Sequence, residues 1–166
     1  MDTTTLGITI GLGLILFVIY YHVFGKHGGG YITHPAWLGL SANIVKMLCV
    51  LQVFAAIGFL VSVGTWVFVP PTSGIGVHLH FLIALFLVSA ITWPIALKYG
   101  IGWLVVLSLV MTAAGSILLL AASIEDETPK WWVILGFILL NVVTVLVDAV
   151  MWNAKFILAD GKVPSS

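Results

Sequence analysis

The 166-residue sequence has no arginine, a single cysteine, and only six lysines and six acidic residues, for a net charge of +0. Each shortage excludes something. Without arginine there is no bidentate clamp for phosphates. With no basic block and no net positive charge, the chain is not built to bind nucleic acid. The lone Cys49 forbids an internal disulfide framework. Sequence patterns for zinc hydrolysis (His-Glu-x-x-His), a nucleophilic serine elbow (Gly-x-Ser-x-Gly), a P-loop and a dinucleotide fingerprint are also missing, so no catalytic residue is assigned. Gly11-Leu12-Gly13 lies inside an apolar run, not after a strand.

Apolar residues are abundant: 61% of the chain, at a mean hydropathy of +1.22, with charged residues at 7%. Soluble domains carry roughly 25% charged residues. That balance excludes a water-soluble globule and a disordered tail, and points to the lipid bilayer as the medium. A helix needs about 20 apolar residues to cross the hydrocarbon layer. Five segments meet that length: 5–24, 42–69, 76–97, 101–123 and 131–156. The expected fold is therefore all-α, a single polytopic membrane domain over 1–166 with five transmembrane helices and short loops.

The breaks between segments have physical causes. Gly28-Gly29-Gly30 loses too much backbone entropy to continue a helix. Pro70-Pro71 removes two amide donors and pushes Val69 from helical dihedrals. Lys98-Tyr99-Gly100 is short enough to force an antiparallel hairpin, and the run Glu125 to Lys130 is charged. Pro94 is expected to kink the third span or end its regular helix. The apolar stretch 31–41 is too short to cross and is expected to lie at the interface. Tyr20, Tyr21, Trp37, Trp66, Trp93, Tyr99, Trp103, Trp131 and Trp132 are read as headgroup-level anchors. The first span has no lysine or arginine before it and no small-x-small cleavage site after it, and is read as a retained anchor. Five lysines fall on one side of this threading and one on the other, which places the amino terminus outside or lumenal and the carboxyl terminus in the cytoplasm.

Lipid-embedded helices associate through small residues. The candidate packing positions are Gly7 and Gly11 on the first span, Gly58 and Ser62 on the second, and Ser108, Thr112 and Ser116 on the fourth. The first of these stripes is the candidate for contact with a different chain.

Asp148 is the most informative polar residue. A carboxylate within a span is costly unless protonated, paired or hydrated. Asn141, Asp148, Trp152 and Lys155 share one face at helical spacing. Gln52 and Lys46 enter from the second span, and Lys46 is expected either to pair with Asp148 or to snorkel outward. The histidines His22, His34, His78 and His80 are the candidates for a cofactor, with His27 beside them, but their spacing forms no bis-histidine haem pair and no metal signature. No cofactor and no metal is assigned. The functional expectation is a small, non-catalytic membrane subunit that scaffolds a larger assembly, through other membrane subunits or self-association. The alternative is a small oligomeric transporter or proton-coupled channel that uses Asp148.

Overall fold

The computed structural model describes residues 1–25, 32, 34–72 and 74–160. These residues form helices and turns, with no strand among them. The helices are α1 (Thr3–Tyr20), α2 (Ala42–Phe68), α3 (Leu79–Lys98), α4 (Gly102–Glu125), α5 (Trp131–Asn141) and α6 (Asn153–Leu158). A π-helical turn, Tyr21–Gly25, extends α1, and a π-helical segment, Val142–Trp152, joins α5 to α6. Short 3-10 turns cover Pro35–Trp37 and Gly74–His78. Five helical units are long and apolar enough to cross a membrane: Thr3–Gly25, Ala42–Phe68, Gly74–Lys98, Gly102–Glu125 and Trp131–Leu158.

Local chemistry sets the ends. Asp2 caps α1, its carboxylate accepting from the Thr4 and Thr5 amides at 3.1 Å each. The α3–α4 hairpin closes through a Schellman arrangement. The Ile101 amide reaches back to the Ala96 carbonyl (2.9 Å), and the Gly100 amide to that of Leu97 (3.1 Å). Gly100 supplies the left-handed backbone this needs, at φ 68°. Pro94 does not end α3, which runs on to Lys98. Its ring is buried and its neighbour Trp93 packs on Phe24 and Trp152, so tertiary contacts hold the helix across the missing amide.

α3 packs most extensively on α4, α2 on α5, and α1 leans on α3. The α2–α5 crossing is an approach of backbones. A methyl added to Gly58 would meet Gly136 Cα at 2.9 Å, and one added to Gly136 would fall on the Ser62 hydroxyl. That hydroxyl donates to the Val133 carbonyl across the same crossing (3.0 Å). The α3–α4 pair is similarly close where Gly115 faces Phe86. One core gathers Phe59, Trp66, Phe86, Leu119 and Phe137; a second, toward the α3–α4 link, holds Ala96, Val105, Leu109, Trp152 and Phe156. Large apolar side chains also coat the outside, among them Phe17, Phe54, Leu60 and Phe81. A surface of that kind is compatible with lipid and costly in water, and the fold fits an integral membrane protein.

Two expectations about aromatic residues change. Trp66 is 1% exposed and stacks near Phe137 (centroids 4.8 Å apart) in the core, and Trp37 is also buried, so neither is an interface anchor. Tyr99, Trp103 and Trp131 do stand on the outside. The expected interfacial segment is, among its described residues, a single turn: Pro35–Trp37, followed by Leu38 and Gly39 in left-handed conformation (φ 51° and 75°).

An aromatic-walled cavity around Asp148

Asp148 sits in the π-helical segment. The amide of Asn153 donates to the Asp148 carbonyl five residues back, the spacing that defines this geometry. π-helical segments are rare and occur disproportionately at functional sites. The wider turn alters the face expected from α-helical spacing. Asn141, just before the segment, turns to α4, its amide nitrogen donating to the Ser116 carbonyl there (2.9 Å) and to the Phe137 carbonyl of its own helix (2.8 Å). Asp148 and Trp152 turn instead to a cavity. Lys155 is half-buried in α6.

The cavity draws on all five spans. Phe24 closes it from the first, Gln52 from α2, Trp93 from α3, Leu109 from α4, and Asp148 and Trp152 from the fifth. Ala36 and Trp37 complete it from the 3-10 turn. The room open to the centre of a water-sized sphere is about 20 Å³. A water needs about 10–15 Å³ by that measure, so the space suits one water-sized particle.

The rings are locked. The Trp93 indole N–H donates to the Tyr20 hydroxyl (2.9 Å), and that of Trp152 to the Ala36 carbonyl (2.7 Å). Trp93 lies 5.4 Å from Phe24 and 5.8 Å from Trp152, between centroids. The Asp148 carboxyl receives no hydrogen bond among the described residues. Lys46, expected either to pair with it or to snorkel outward, is exposed and makes no ion pair with it; the one ion pair among the described residues is Asp2 with His80. The physical reason is direction: Lys46 points outward from α2 while Gln52 faces the cavity.

Beyond the cavity, the polar groups of the bundle answer one another. Ser108 and Thr112 donate to carbonyls of their own helix. The Ser116 and Thr144 hydroxyls share a 2.6 Å hydrogen bond between α4 and the fifth span. Ser62 serves the α2–α5 crossing. Asn153 is the exception: it is 4% exposed, and both side-chain polar atoms lack a hydrogen-bond partner.

The histidines remain apart. His34 caps the 3-10 turn, Nδ1 accepting from the Ala36 amide (3.1 Å), with its ring against Phe24. His22 and His78 are exposed. His80 Nε2 contacts Asp2 Oδ2 at 3.0 Å. His27 lies outside the described residues. Among those described, no group of histidine, cysteine and acid converges as a metal site. The Asp2 carboxyl is held well below the usual carboxylate range, first by the Thr5 hydroxyl (2.6 Å) and amide, with His80 adding to them. The same residue's amide donates to the Val67 carbonyl at 2.7 Å, so α1, α2 and α3 are stapled together at this end.

Gly7 and Gly11 are exposed, and a methyl at either would meet no atom within 4 Å among the described residues. Gly58, Ser62, Ser108, Thr112 and Ser116 are all buried in helix contacts. Gly136 is the packing residue that spacing alone did not single out, and Trp37 and Trp93, read from the sequence as headgroup anchors, are walls of the cavity.

The chain matches no family model, and no curated protein and no solved structure is significantly similar to it.

Proposed function

We propose that the protein is a small, non-catalytic integral membrane subunit that stabilises a larger membrane assembly. The observation behind this reading is α1. In the most apolar eighteen-residue stretch of the first span no residue is buried within the chain, whereas 28–44% of the equivalent stretches are buried in the other four. That face carries Gly7 and Gly11, whose missing side chains serve no contact in the bundle. A second helix docking there would gain the close backbone approach that drives association in lipid. Lysine counting orients the amino terminus outside or lumenal and the carboxyl terminus in the cytoplasm.

The test is native mass measurement after extraction in mild detergent. The wild type runs as an assembly, by self-association or with other subunits. Gly7→Leu with Gly11→Leu releases a folded 17.8 kDa chain. A wild type that is monomeric and fully active alone ends this reading, as does a double variant that stays assembled.

A second reading has its own observation. The Asp148 carboxyl lines a cavity reached by every span, which suits a small oligomeric transporter or proton-coupled channel. Under it, Asp148→Asn abolishes a flux in liposomes that the wild type supports. A wild type silent across pH and voltage excludes it.

A further inference from the structure

A carboxyl with no hydrogen-bond donor, walled by tryptophans, is a poor design for a neutral core. Asp148 needs a compensating positive charge or a proton. The tryptophans offer a neutral acid little. Both Trp93 and Trp152 spend their indole N–H on Tyr20 and Ala36, so neither donates to the carboxylate. Both residues line the cavity. Aromatic rings attract cations through their quadrupole, tryptophan best, within about 6 Å of the ring centre and most strongly where water is excluded. An acid plus several indoles is thus the chemistry of a cation site.

Size and ligand count narrow the cation. The cavity, of about 20 Å³, takes a particle the size of a water. Divalent ions ask for about six or more oxygen ligands, or keep several waters. The lining supplies one carboxyl and one amide, from Asp148 and Gln52. Ammonium is water-sized and carries its own N–H donors for a carboxylate that lacks any.

We propose that this cavity binds ammonium between the Asp148 carboxylate and the rings of Trp37, Trp93 and Trp152. The site is independent of the subunit reading and does not require transport. Its occupancy joins residues from all five spans, so binding adds to the stability of the folded bundle by mass action.

The experiment uses the full-length chain in detergent at fixed pH and ionic strength. Ammonium chloride is titrated against sodium chloride, methylammonium chloride and tetramethylammonium chloride, with intrinsic tryptophan fluorescence and melting temperature as readouts. Ammonium gives a saturable fluorescence change and a rise in melting temperature; sodium and the two larger ammonium ions do not. Asp148→Asn loses the response, and Trp93→Leu weakens the affinity about tenfold while the carboxyl remains. A response shared equally by sodium, or kept intact in Asp148→Asn, overturns the proposal. A measurement on the wild type alone guards against variants that fail to fold. Dicyclohexylcarbodiimide modifies carboxyls in apolar surroundings, and peptide mass mapping follows its addition to Asp148. Saturating ammonium slows that labelling at least tenfold if it occupies the site. Labelling at an unchanged rate refutes occupancy.

Discussion

Gly136→Ala is the sharpest probe of how the bundle is held. The added methyl falls on the Ser62 hydroxyl and against the Gly58 backbone. The hydroxyl can rotate, but the Gly58 backbone belongs to the middle of a 27-residue helix and cannot yield locally. α2 and α5 must therefore separate. Overpacking of this kind costs about 1–3 kcal/mol. Separation also lengthens the 3.0 Å bond from Ser62 to the Val133 carbonyl, and an interhelical hydrogen bond in a membrane protein contributes about 0.6 kcal/mol, up to about 1.7. The helix-propensity gain of alanine over glycine, at most about 1 kcal/mol, offsets part of this. The net loss is about 1–3 kcal/mol, or a fall of roughly 2–10 °C in melting temperature for a chain of this size. Circular dichroism and tryptophan fluorescence melts in one detergent measure it. Gly64→Ala, on α2 with nothing within 4 Å, is the matched control and melts at or slightly above the wild type. If Gly136→Ala and Gly64→Ala melt together, the close α2–α5 crossing is wrong.

Three further outcomes follow from single residues. Asp2→Ala removes the α1 cap and the contact to His80, and costs about 0.5–2 kcal/mol in the same melts; an unchanged melting temperature refutes the staple. The depressed folded-state acidity of Asp2 also gives a sign: its contribution is complete above the carboxyl's ordinary value of 3.8 and fades as pH falls below it, so melts of the wild type and Asp2→Ala converge in acid and diverge toward neutrality. Asn153→Leu replaces two buried, unpartnered polar atoms with an apolar group of similar volume and raises stability by about 1–2 kcal/mol; a loss would mean that the amide has a partner. Trp152→Phe keeps a ring at the cavity but deletes the 2.7 Å bond to the Ala36 carbonyl, costs about 1–3 kcal/mol for the carbonyl left behind, and increases protease access near the 3-10 turn; unchanged digestion removes that bond's anchoring role.

The five apolar units were legible because their signals are local. Long hydrophobic runs meet hard stops at Pro70-Pro71, at Gly100 and in the charged run after Ser123, and the helices end within a few residues of the expected places. The π-helical segment was not legible. Residues 142–152 contain no proline or glycine, so nothing in the local code announces a wider turn. The α-helical spacing that puts Asn141, Asp148, Trp152 and Lys155 on one face does not hold across the wider turn, and the depth of Lys46 in its span does not tell whether it points inward to Asp148 or outward. Gly136 escaped because small-residue patterns are sought along one helix. Trp132 and Leu140 lie four positions to either side of it, and its small partner, Gly58, is on another helix. Trp37, Trp93 and Trp152 are far apart in sequence, and only the packing of the spans brings them to one cavity. Asp2 and His80 likewise meet across 78 positions.

The placement of polarity in the fifth span weighs between holding a cation and conducting one. A conducting path needs groups that can exchange partners along its length. Toward the Asp2 end of the bundle, Asn141 is committed to two carbonyls, Ser116 and Thr144 to each other, and Ser62 to Val133. Phe59, Trp66, Phe86 and Phe137 fill the core beyond them. An ion leaving Asp148 in that direction would have to break paired hydrogen bonds without replacing them and then enter hydrocarbon. Around Asp148 itself the order reverses: an acid without a donor, and rings whose polar edges are tied elsewhere. Among the described residues, polarity is spent on packing through most of the bundle and left open at Asp148 and Asn153, which favours a pocket over a pore. A subunit with such a pocket would read its cation through the stability of the whole bundle, because every span contributes a wall.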